Sequence, residues 1–393
     1  MTTKDKLWNK DYIKAMGINF TIAFAFYLFA PILPIYLHER FGTLNDTIGL
    51  VLSGYTIAAL IFRPFSGYIV DSFSRKKILI FFLVLSLVFY SMYLLAFSLT
   101  LFAIIRTVHG APYGGSTVAT STVAIDVLPS SRRNEGIGYY GLSNNIATAI
   151  APTAGILIYK WTGNFDLLFV LAILFAAISV CLSYSIKIPQ KNIIKNKQKI
   201  SLDRFLLIKG WFLGANMIFF SFCYGILSNY VAIYAKEKLG VTSGSGIFFL
   251  LLSIGLILSR LKGNKSLKEG KLIRHAFIGI SVSTIGYTLF AGVQNNVAFY
   301  LSALLVGLGN GHMYPAFSTM IINVAQHNER GTANSTLLTA WDLGLGIGIL
   351  VGGLVSQFMS YLAAFWIVAL VHLIGLIFFI IITRKLFIKK RLR

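Results

Sequence analysis

Acidic residues are scarce in this chain of 393 residues: 13 Asp and Glu stand against 35 Lys and Arg, and only 12% of the residues are charged. A soluble domain carries about 25% charged and about 45–50% apolar residues, whereas 56% of this chain is hydrophobic. So little charge cannot cover a surface that faces water, which excludes an ordinary soluble protein. The excess of basic residues does not indicate a nucleic-acid partner, because the apolar runs leave no aqueous face for one.

Other absences exclude whole classes of catalyst. The two cysteines, Cys181 and Cys223, lie inside apolar stretches, which argues against a disulfide framework. The sequence contains no phosphate-binding loop of the Gly-xxxx-Gly-Lys-Ser/Thr type and no cysteine–histidine cluster with zinc-binding spacing. We therefore predict a protein that is not an enzyme and holds no cofactor or metal. Its energy source would be an ion gradient or the gradient of its own substrate.

Long hydrophobic runs are what the chain has in abundance. A membrane-crossing helix needs about 20 mostly apolar residues, and about twelve runs reach this length. The first run follows several lysines, as in a signal peptide, but it is too long for one and leads into another span, so we interpret it as a retained helix. The predicted spans are 15–37, 47–70, 78–97, 100–128, 137–159, 164–186, 210–235, 245–262, 273–292, 297–325, 333–357 and 362–383.

Lys and Arg are distributed unevenly between the two sides of these predicted helices. If the N-terminus is cytoplasmic, 28 of the 35 fall on the inside, four fall in outside loops and three lie within or near spans. Basic loops stay in the cytoplasm, so we expect both termini to be cytoplasmic and the protein to cross the cell (inner or plasma) membrane repeatedly. Basic loops also attract anionic headgroups, which makes membrane lipid an expected partner.

The longest polar interruption, residues 187–209, divides the spans six and six. The segment 133–136, Arg-Asn-Glu-Gly, has a counterpart at 328–331, Asn-Glu-Arg-Gly. We therefore predict an all-α membrane protein with twelve transmembrane helices in two pseudo-symmetric six-helix bundles, 1–186 and 210–393, joined by a basic cytoplasmic linker. Transporters built from such repeats alternate access around a site at the bilayer midplane.

Four motifs carry a family resemblance. Between spans 2 and 3, residues 67–77 place a glycine, an aspartate four residues later and a basic cluster four residues after that. The others are the proline pair at 31–34, Arg-Thr-Val-His-Gly at 106–110 and Ala-Pro-Thr-Ala-Gly at 151–155. With these motifs the chain resembles the major facilitator superfamily, and within it the twelve-helix drug:proton antiporter-like exporters.

The resemblance implies that the loop between spans 2 and 3 is a gate that holds one conformational state to the opposite half. Gly67 permits close backbone approach, and Asp71 can accept hydrogen bonds from helix N-termini or from Arg75 across a tight turn. Lys76 and Arg63 are assigned to the same gate. The alternative is that the basic residues of the loop only record membrane topology.

One acid lies deep in a predicted span, since the other twelve fall in loops, tails or span ends. Asp342 lies about nine residues, or roughly 14 Å, into span 11, near the middle of a bilayer core about 30 Å thick. A low dielectric disfavours the charged carboxylate, so Asp342 can load and release a proton as access alternates. It could also pair with an intramembrane Arg, bind a cationic substrate or make structural hydrogen bonds to neighbouring helices.

Arg106, in span 4, needs an anionic or carbonyl partner, because an isolated guanidinium is costly inside a membrane. The resemblance implies that it takes part in proton coupling or binds substrate. His109, one turn further on, is predicted to join the proton coupling because imidazole titrates near neutral pH. A neutral histidine bonded to a backbone carbonyl is the alternative.

Polar and aromatic residues in several spans predict a moderately polar, aromatic-lined cavity. Asn144 and Asn145 lie in span 5 near the position that Asp342 has in span 11, and their amides could bond a polar substrate or only neighbouring helices. The other predicted substrate contacts are Tyr27, Asn19, Tyr113, Asn216, Tyr224, Asn310, His312 and Trp341.

Together these features predict a monomeric, proton-coupled exporter of small organic or amphiphilic molecules that works by alternating access. Its expected partners are protons and a small-molecule substrate. An importer or uniporter of a small polar solute is one alternative, because a fold does not fix the direction of transport. A lipid or glycolipid translocase is another, which a largely apolar cavity with lateral openings would favour.

Overall fold

The structure is a computed structural model that describes residues 6–43, 45–188, 205–240 and 244–392. These residues form helices, and no strand occurs among them, which confirms the predicted all-α class. Seven of the described helices are, by length and composition alone, apolar enough to cross a membrane. The predicted linker, 187–209, lies mostly outside the described residues.

Helices α1 to α7 follow one another through the first half of the chain, and α8 to α14 through the second. The bounds in the first half are α1 Lys10–Phe29, α2 Leu33–Phe41, α3 Asn45–Ser72, α4 Arg75–Met92, α5 Leu99–Val127, α6 Arg133–Thr162 and α7 Phe165–Ser185. Those in the second half are α8 Trp211–Leu239, α9 Gly244–Lys268, α10 Leu272–Gly292, α11 Asn296–Val324, α12 Arg330–Phe358, α13 Tyr361–Phe378 and α14 Arg384–Lys390.

Two of these helices form one span. Pro31 and Pro34 have no backbone N–H to donate, which weakens helical hydrogen bonding around them. A short 3₁₀ turn, Ala30–Ile32, separates α1 from α2 at this point. At the other end of the chain, α14 is a short extension joined to α13 by a π-helical turn, Phe379–Thr383. With α1 and α2 counted as one interrupted helix and α14 as an extension of α13, the described residues therefore give six helices in each half, in agreement with the predicted two sets of six.

The same helix pairs pack in both halves. In the first, α1 packs against α6 and α7, α3 packs against α5, and α4 packs against α5 and α7. In the second, α8 packs against α12 and α13, α9 packs against α11, and α10 packs against α11 and α13. Each half thus repeats one bundle, with α1 matched by α8 and α6 matched by α12.

The described residues divide into two compact units. Unit 1 comprises the chain up to Leu206 together with His327–Ser335, and unit 2 comprises Leu207–Gln326 and the chain from Thr336 onward. We call His327–Ser335 the crossover segment, because it follows residues of unit 2 in the chain but belongs to unit 1. Helix α12 therefore begins in unit 1 and continues in unit 2.

Glycines let helices approach closely inside each unit. In unit 1, a Cβ atom on Gly155 would lie 1.7 Å from the carbonyl oxygen of Leu28, so only glycine fits where α6 meets α1. In unit 2, a Cβ atom on Gly348 would lie 2.2 Å from the carbonyl oxygen of Phe222, where α12 meets α8. In both cases backbone lies against backbone, which leaves no flexible side chain to move aside.

A Gly348→Ala variant is expected to lose about 1–3 kcal/mol of unfolding free energy, because the added methyl group must push α12 away from α8. Gly346→Ala is the matched control: it lies two residues away on the same helix, and its Cβ would meet nothing within 4 Å. The measurement is the thermal unfolding midpoint of each purified variant in detergent. Equal midpoints for the two variants would contradict the close contact.

Candidate functional site

A first cluster lies where α3 ends and α12 begins. Asp71 accepts hydrogen bonds from the backbone N–H groups of Gly331 at 2.9 Å and Thr332 at 2.8 Å, one on each carboxylate oxygen. The Thr332 hydroxyl donates a third at 3.1 Å. Unpaired N–H groups and the helix dipole make a helix N-terminus attractive to anions. Asp71 therefore caps α12 from another helix.

Four side chains of alternating charge connect this cap to the end of α5. Arg75 donates to Asp71 at 3.1 Å and also to Asp126, while Arg330 donates to the other carboxylate oxygen of Asp126 at 2.9 Å. The side chains of Arg330 and Asp126 are only 2% and 1% exposed. At that burial each charge depends on its partner, because an unpaired ion would have lost its hydration without compensation. We call Asp71, Arg75, Asp126 and Arg330 the latch.

Gly67 allows α3 to approach the crossover segment. A Cβ atom there would lie 2.6 Å from the Cβ atom of Ser335 and 2.9 Å from the carbonyl oxygen of Gly331. The Ser335 hydroxyl donates to the carbonyl oxygen of Arg63, a buried residue one turn earlier on α3. Four of the five residues predicted to form the gate therefore meet at the start of α12.

Lys76, the fifth, lies apart from the latch. Its ammonium group donates to the carbonyl oxygens of Tyr184 at 2.7 Å and Ile186 at 2.9 Å. These oxygens belong to the end of α7, where helix carbonyls lack partners within the helix. The described contacts of Lys76 join α4 to the end of α7, and its gating role stays a prediction.

Asp126 and Arg330 are latch residues to which the sequence alone did not point. Each is a charged residue close to the end of a predicted span. The neighbouring residues within the span, 118–125 before Asp126 and 331–341 after Arg330, are apolar or neutral. A charge in such a position needs a partner from another helix. That requirement is the sequence feature by which these two residues could have been identified. The sequence does not say which helix provides the partner, because Asp126 and Arg330 are 204 residues apart.

In unit 1, Arg106 is buried in a cage of aromatic rings. Its guanidinium carbon lies 4.1 Å from the ring centroid of Tyr55 and 5.3 Å from that of Phe26, positions in which the ring faces attract a cation. One guanidinium nitrogen donates to the Tyr93 hydroxyl at 3.3 Å, and Nε has no hydrogen-bond partner among the described residues. Within that part of the chain, Arg106 forms no ion pair with a carboxylate.

His109 shares the Tyr93 hydroxyl with Arg106. The distance from this hydroxyl oxygen to Nδ1 of His109 is 2.9 Å. The hydroxyl accepts from the guanidinium, and it can either donate to Nδ1 or accept from it, depending on the imidazole tautomer. The imidazole is fully buried and stacks on Phe89 at a centroid distance of 5.6 Å. The described partner of Nδ1 is thus a tyrosine hydroxyl rather than a backbone carbonyl.

Two predicted substrate contacts border this cage. Phe26, one of the rings that faces Arg106, lies 4.9 Å from Tyr27 and 5.0 Å from Tyr113 by ring centroids. Tyr113 also lies 5.5 Å from Tyr55. Both tyrosines are half-buried. The structure therefore groups them with Arg106 in unit 1.

Two of the predicted substrate-binding asparagines join helices to each other. Asn19 on α1 donates to the hydroxyl of Ser143 on α6 at 2.9 Å. Asn216 on α8 is fully buried and donates to the carbonyl oxygen of Gly375 on α13 at 2.9 Å. Interhelical hydrogen bonds of this kind are the structural alternative for membrane asparagines. Substrate contact by either residue stays a prediction.

In unit 2, Asp342 is half-buried on α12 beside an aromatic group. The neighbouring Trp341 ring lies 5.8 Å from Tyr224 on α8 and 5.6 Å from Tyr314 on α11 by centroids. Tyr224 and Trp341 were both predicted substrate contacts, and the structure brings them together. Unit 2 therefore holds an aromatic group on α8, α11 and α12, and Asp342 follows Trp341 in the chain.

Asp342 and the asparagine pair of α6 occupy matched positions. Asp342 lies twelve residues after Arg330, the first residue of α12, and Asn145 lies twelve residues after Arg133, the first residue of α6. At 1.5 Å per residue both lie about 18 Å along their helices. Asn144 and Asn145 are half-buried, as Asp342 is. The repeat thus pairs neutral amides in unit 1 with one titratable group in unit 2.

The remaining predicted contacts, His312 and Asn310, lie on α11 where it meets α10. Nδ1 of His312 lies 3.2 Å from Nε2 of His275, and the Ser283 hydroxyl donates to Asn310 at 3.5 Å. Both contacts join α11 to α10, and neither histidine forms part of a possible metal cluster within the described chain. Their roles in substrate binding stay predictions.

Comparisons with known proteins agree on one family. A family model described as Major Facilitator Superfamily matches residues 15–344 and 274–391. The Staphylopine export protein of Staphylococcus aureus (strain Mu50) is 23% identical over 334 residues, which is 81% of this chain and 83% of that protein. The Uncharacterized MFS-type transporter YhhS of Escherichia coli (strain K12) is 24% identical over 378 residues, covering 93% and 92%.

Solved structures share the fold. The human organic anion transporter MFSD10 (TETRAN) superimposes with a TM-score of 0.81 over 94% of this chain and 98% of that chain, at 15% sequence identity. The transporter FucP in its outward conformation gives a TM-score of 0.77 over 95% and 99%, at 18% identity. Likeness at such identities concerns the fold alone, and it confirms the predicted architecture of twelve transmembrane helices.

Proposed function

Because the chain belongs to the Major Facilitator Superfamily, a family of membrane transporters, we propose that it exports small organic or amphiphilic molecules in exchange for protons. The observation that carries the proposal is the construction of α12. Its first residues belong to the latch in unit 1, and Asp342 follows twelve residues later in unit 2. One helix therefore links a reversible contact to a titratable group.

The latch supplies the reversible contact that alternating access requires. It holds the crossover segment by ion pairs and hydrogen bonds, and these groups regain hydration when the contact opens. Two states that differ by only a few kcal/mol can then exchange during each cycle. In the proposed cycle the crossover segment leaves unit 1 when the latch opens and returns when it closes.

Asp342 supplies proton coupling. A carboxylate inside the membrane is costly when charged and much less costly when protonated. It therefore takes up a proton on the side where protons are abundant and releases it on the other side. The half-buried position of Asp342 leaves room for both the proton and a substrate group to reach it. A proton and a hydrogen-bond donor group of the substrate would thus compete for the Asp342 carboxylate, which is the requirement for exchange.

The aromatic cage around Arg106 in unit 1 favours an amphiphilic substrate with an acceptor group. Arg106 offers an Nε–H that has no partner among the described residues, and the buried Tyr55 hydroxyl close to it likewise has none. A carboxylate or carbonyl oxygen of a substrate would satisfy them. Flat apolar parts would pack on the rings of the same unit, such as Phe26. Similarity to the Staphylopine export protein supports the outward direction.

Reconstitution in proteoliposomes tests the proposal. Vesicles that contain a pH-sensitive dye receive an imposed pH gradient, and a panel of organic anions and amphiphiles is added on one side. We expect proton flux that depends on substrate and runs opposite to it, and that is absent from protein-free vesicles. Flux of protons and substrate in the same direction would identify an importer instead. Translocation of fluorescent lipid without proton flux would favour a lipid translocase and overturn the proposal.

A further inference from the structure

A cleft unrelated to the latch and to Asp342 lies in unit 2, between the start of α10 and the segment that joins α13 to α14. Its volume is about 680 Å³. Basic side chains line one part, namely Lys271, Arg274, Arg384 and Arg391, and apolar side chains that include Phe277 and Ile380 line the rest. Neither the latch nor the aromatic groups include any of these residues.

The helix that forms one wall of the cleft is firmly attached to unit 2. Phe387 on α14 is 2% exposed. Just after the helix, the backbone N–H of Leu392 donates to the carbonyl oxygen of Asn323 at the end of α11, at 2.8 Å. The Lys390 ammonium donates to the carbonyl oxygen of Lys209 at 3.2 Å. The cleft is therefore a built feature of the fold, although its outer wall is the last helix of the chain.

On both walls of the cleft, the lining changes from apolar residues to basic residues toward the helix ends. Ile380 lies in the π-helical turn before α14, Arg384 is the first residue of α14, and Arg391 follows its last residue. Across the cleft, Arg274 and Phe277 are three residues apart on α10. Phe277 lies about 4.5 Å further from the start of α10 than Arg274, and Ile380 precedes Arg384 by about one turn on the other wall. The cleft is thus apolar toward the membrane interior and cationic at the helix ends.

The positive charge in the cleft is largely uncompensated by protein groups. Lys271 pairs with Glu269 at 2.6 Å. Arg274, Arg384 and Arg391 are exposed, and none of them forms an ion pair within the part of the chain that the structure describes. Like charges held around one cleft repel each other. An anion bound between them would remove that repulsion.

We propose that this cleft binds an anionic phospholipid of the surrounding bilayer. The phosphate lies between the guanidinium groups of Arg274, Arg384 and Arg391, which are suited to phosphate because their N–H groups form a planar fork. The acyl chains follow Phe277 and Ile380 toward the membrane interior. A soluble phosphate would use only the basic part, so the apolar part favours a lipid. Basic pockets between helix ends are a known form of lipid recognition.

Native mass spectrometry of the detergent-purified protein tests this site. Phosphatidylglycerol and phosphatidylcholine with identical acyl chains are titrated in turn, and we expect preferential binding of phosphatidylglycerol. A double variant, Arg274→Gln with Arg384→Gln, should bind phosphatidylglycerol about 30-fold more weakly. The control double variant, Lys385→Gln with Lys389→Gln, removes the same charge from exposed positions of α14 that do not line the cleft and should bind it as the parent protein does.

Two further measurements separate the alternatives. Thermal unfolding without added lipid should give equal midpoints for both double variants, which shows that a loss of binding is not a loss of fold. Inorganic phosphate at millimolar concentration should not displace phosphatidylglycerol. Equal binding of the two lipids, or unchanged binding by the Arg274 and Arg384 variant, would overturn the proposal. Full displacement by inorganic phosphate would mean that the cleft binds a free anion instead.

Discussion

An Asp342→Asn variant is expected to lose substrate-dependent proton flux down to the level of protein-free vesicles. Asparagine has nearly the shape of aspartate, but its amide neither binds nor releases a proton at physiological pH. The variant should therefore fold, because it keeps hydrogen-bonding atoms beside Trp341, and it should still bind substrate. The measurement is the dye signal in proteoliposomes under an imposed pH gradient, compared with substrate exchange in the absence of a gradient.

Asp166→Asn is the matched control for this experiment. It makes the same chemical change at an exposed position in the first turn of α7, where a lost negative charge costs little. Its proton flux should equal that of the parent protein. Fully coupled, pH-dependent transport by the Asp342→Asn variant would exclude Asp342 as the proton carrier.

An Asp126→Asn variant is expected to lose about 3–5 kcal/mol of unfolding free energy, the usual cost of leaving a buried charge without its partner. Arg330 is 2% exposed, and the substitution removes the carboxylate charge that its guanidinium contacts at 2.9 Å, so its buried charge loses that compensation. Arg75 would be affected less because it also pairs with Asp71. The measurement is thermal unfolding of the purified variant in detergent.

A double variant separates the ion pair from general damage to the fold. Asp126→Asn combined with Arg330→Gln leaves no unpaired buried charge, since Arg75 keeps Asp71. It should therefore be less destabilised than the sum of the two single variants, a coupling that neighbouring charged residues commonly show. Additive losses would contradict the pairing of Asp126 with Arg330.

The architecture could be predicted from the sequence because a bilayer imposes simple rules. Each span needs a long apolar run, and basic residues mark its cytoplasmic end. The predicted and observed spans therefore correspond, apart from details such as the 3₁₀ turn at Ala30–Ile32 and the extension α14. The contacts of Gly67 and Asp71 were equally readable, because local geometry sets them: close approach, and capping of a helix.

Pairing across distant parts of the chain could not be predicted in the same way. Asp126 and Arg330 meet because the end of α5 lies next to the first residue of α12, and no periodicity in either helix encodes that meeting. Asn216 shows a second difficulty. In a membrane helix a polar residue can face a cavity or a neighbouring helix, since neither side is bulk water. Its bond to Gly375 on α13 belongs to the second case.

Movement of the crossover segment during transport is the central claim, and a distance measurement tests it directly. Spin labels are introduced by Phe73→Cys just after α3 and Asn328→Cys in the crossover segment, both at exposed positions of unit 1. The native Cys181 and Cys223 are first replaced by serine and alanine. Pulsed electron paramagnetic resonance then measures the distance between the labels in proteoliposomes at several pH values, with and without substrate.

We predict two distances, a short one with the latch closed and a longer one with it open, whose populations change with pH and substrate. An added Asp71→Asn substitution, which weakens the cap on α12, should shift the population toward the longer distance. A single distance under every condition, in a protein that still transports its substrate, would contradict the account.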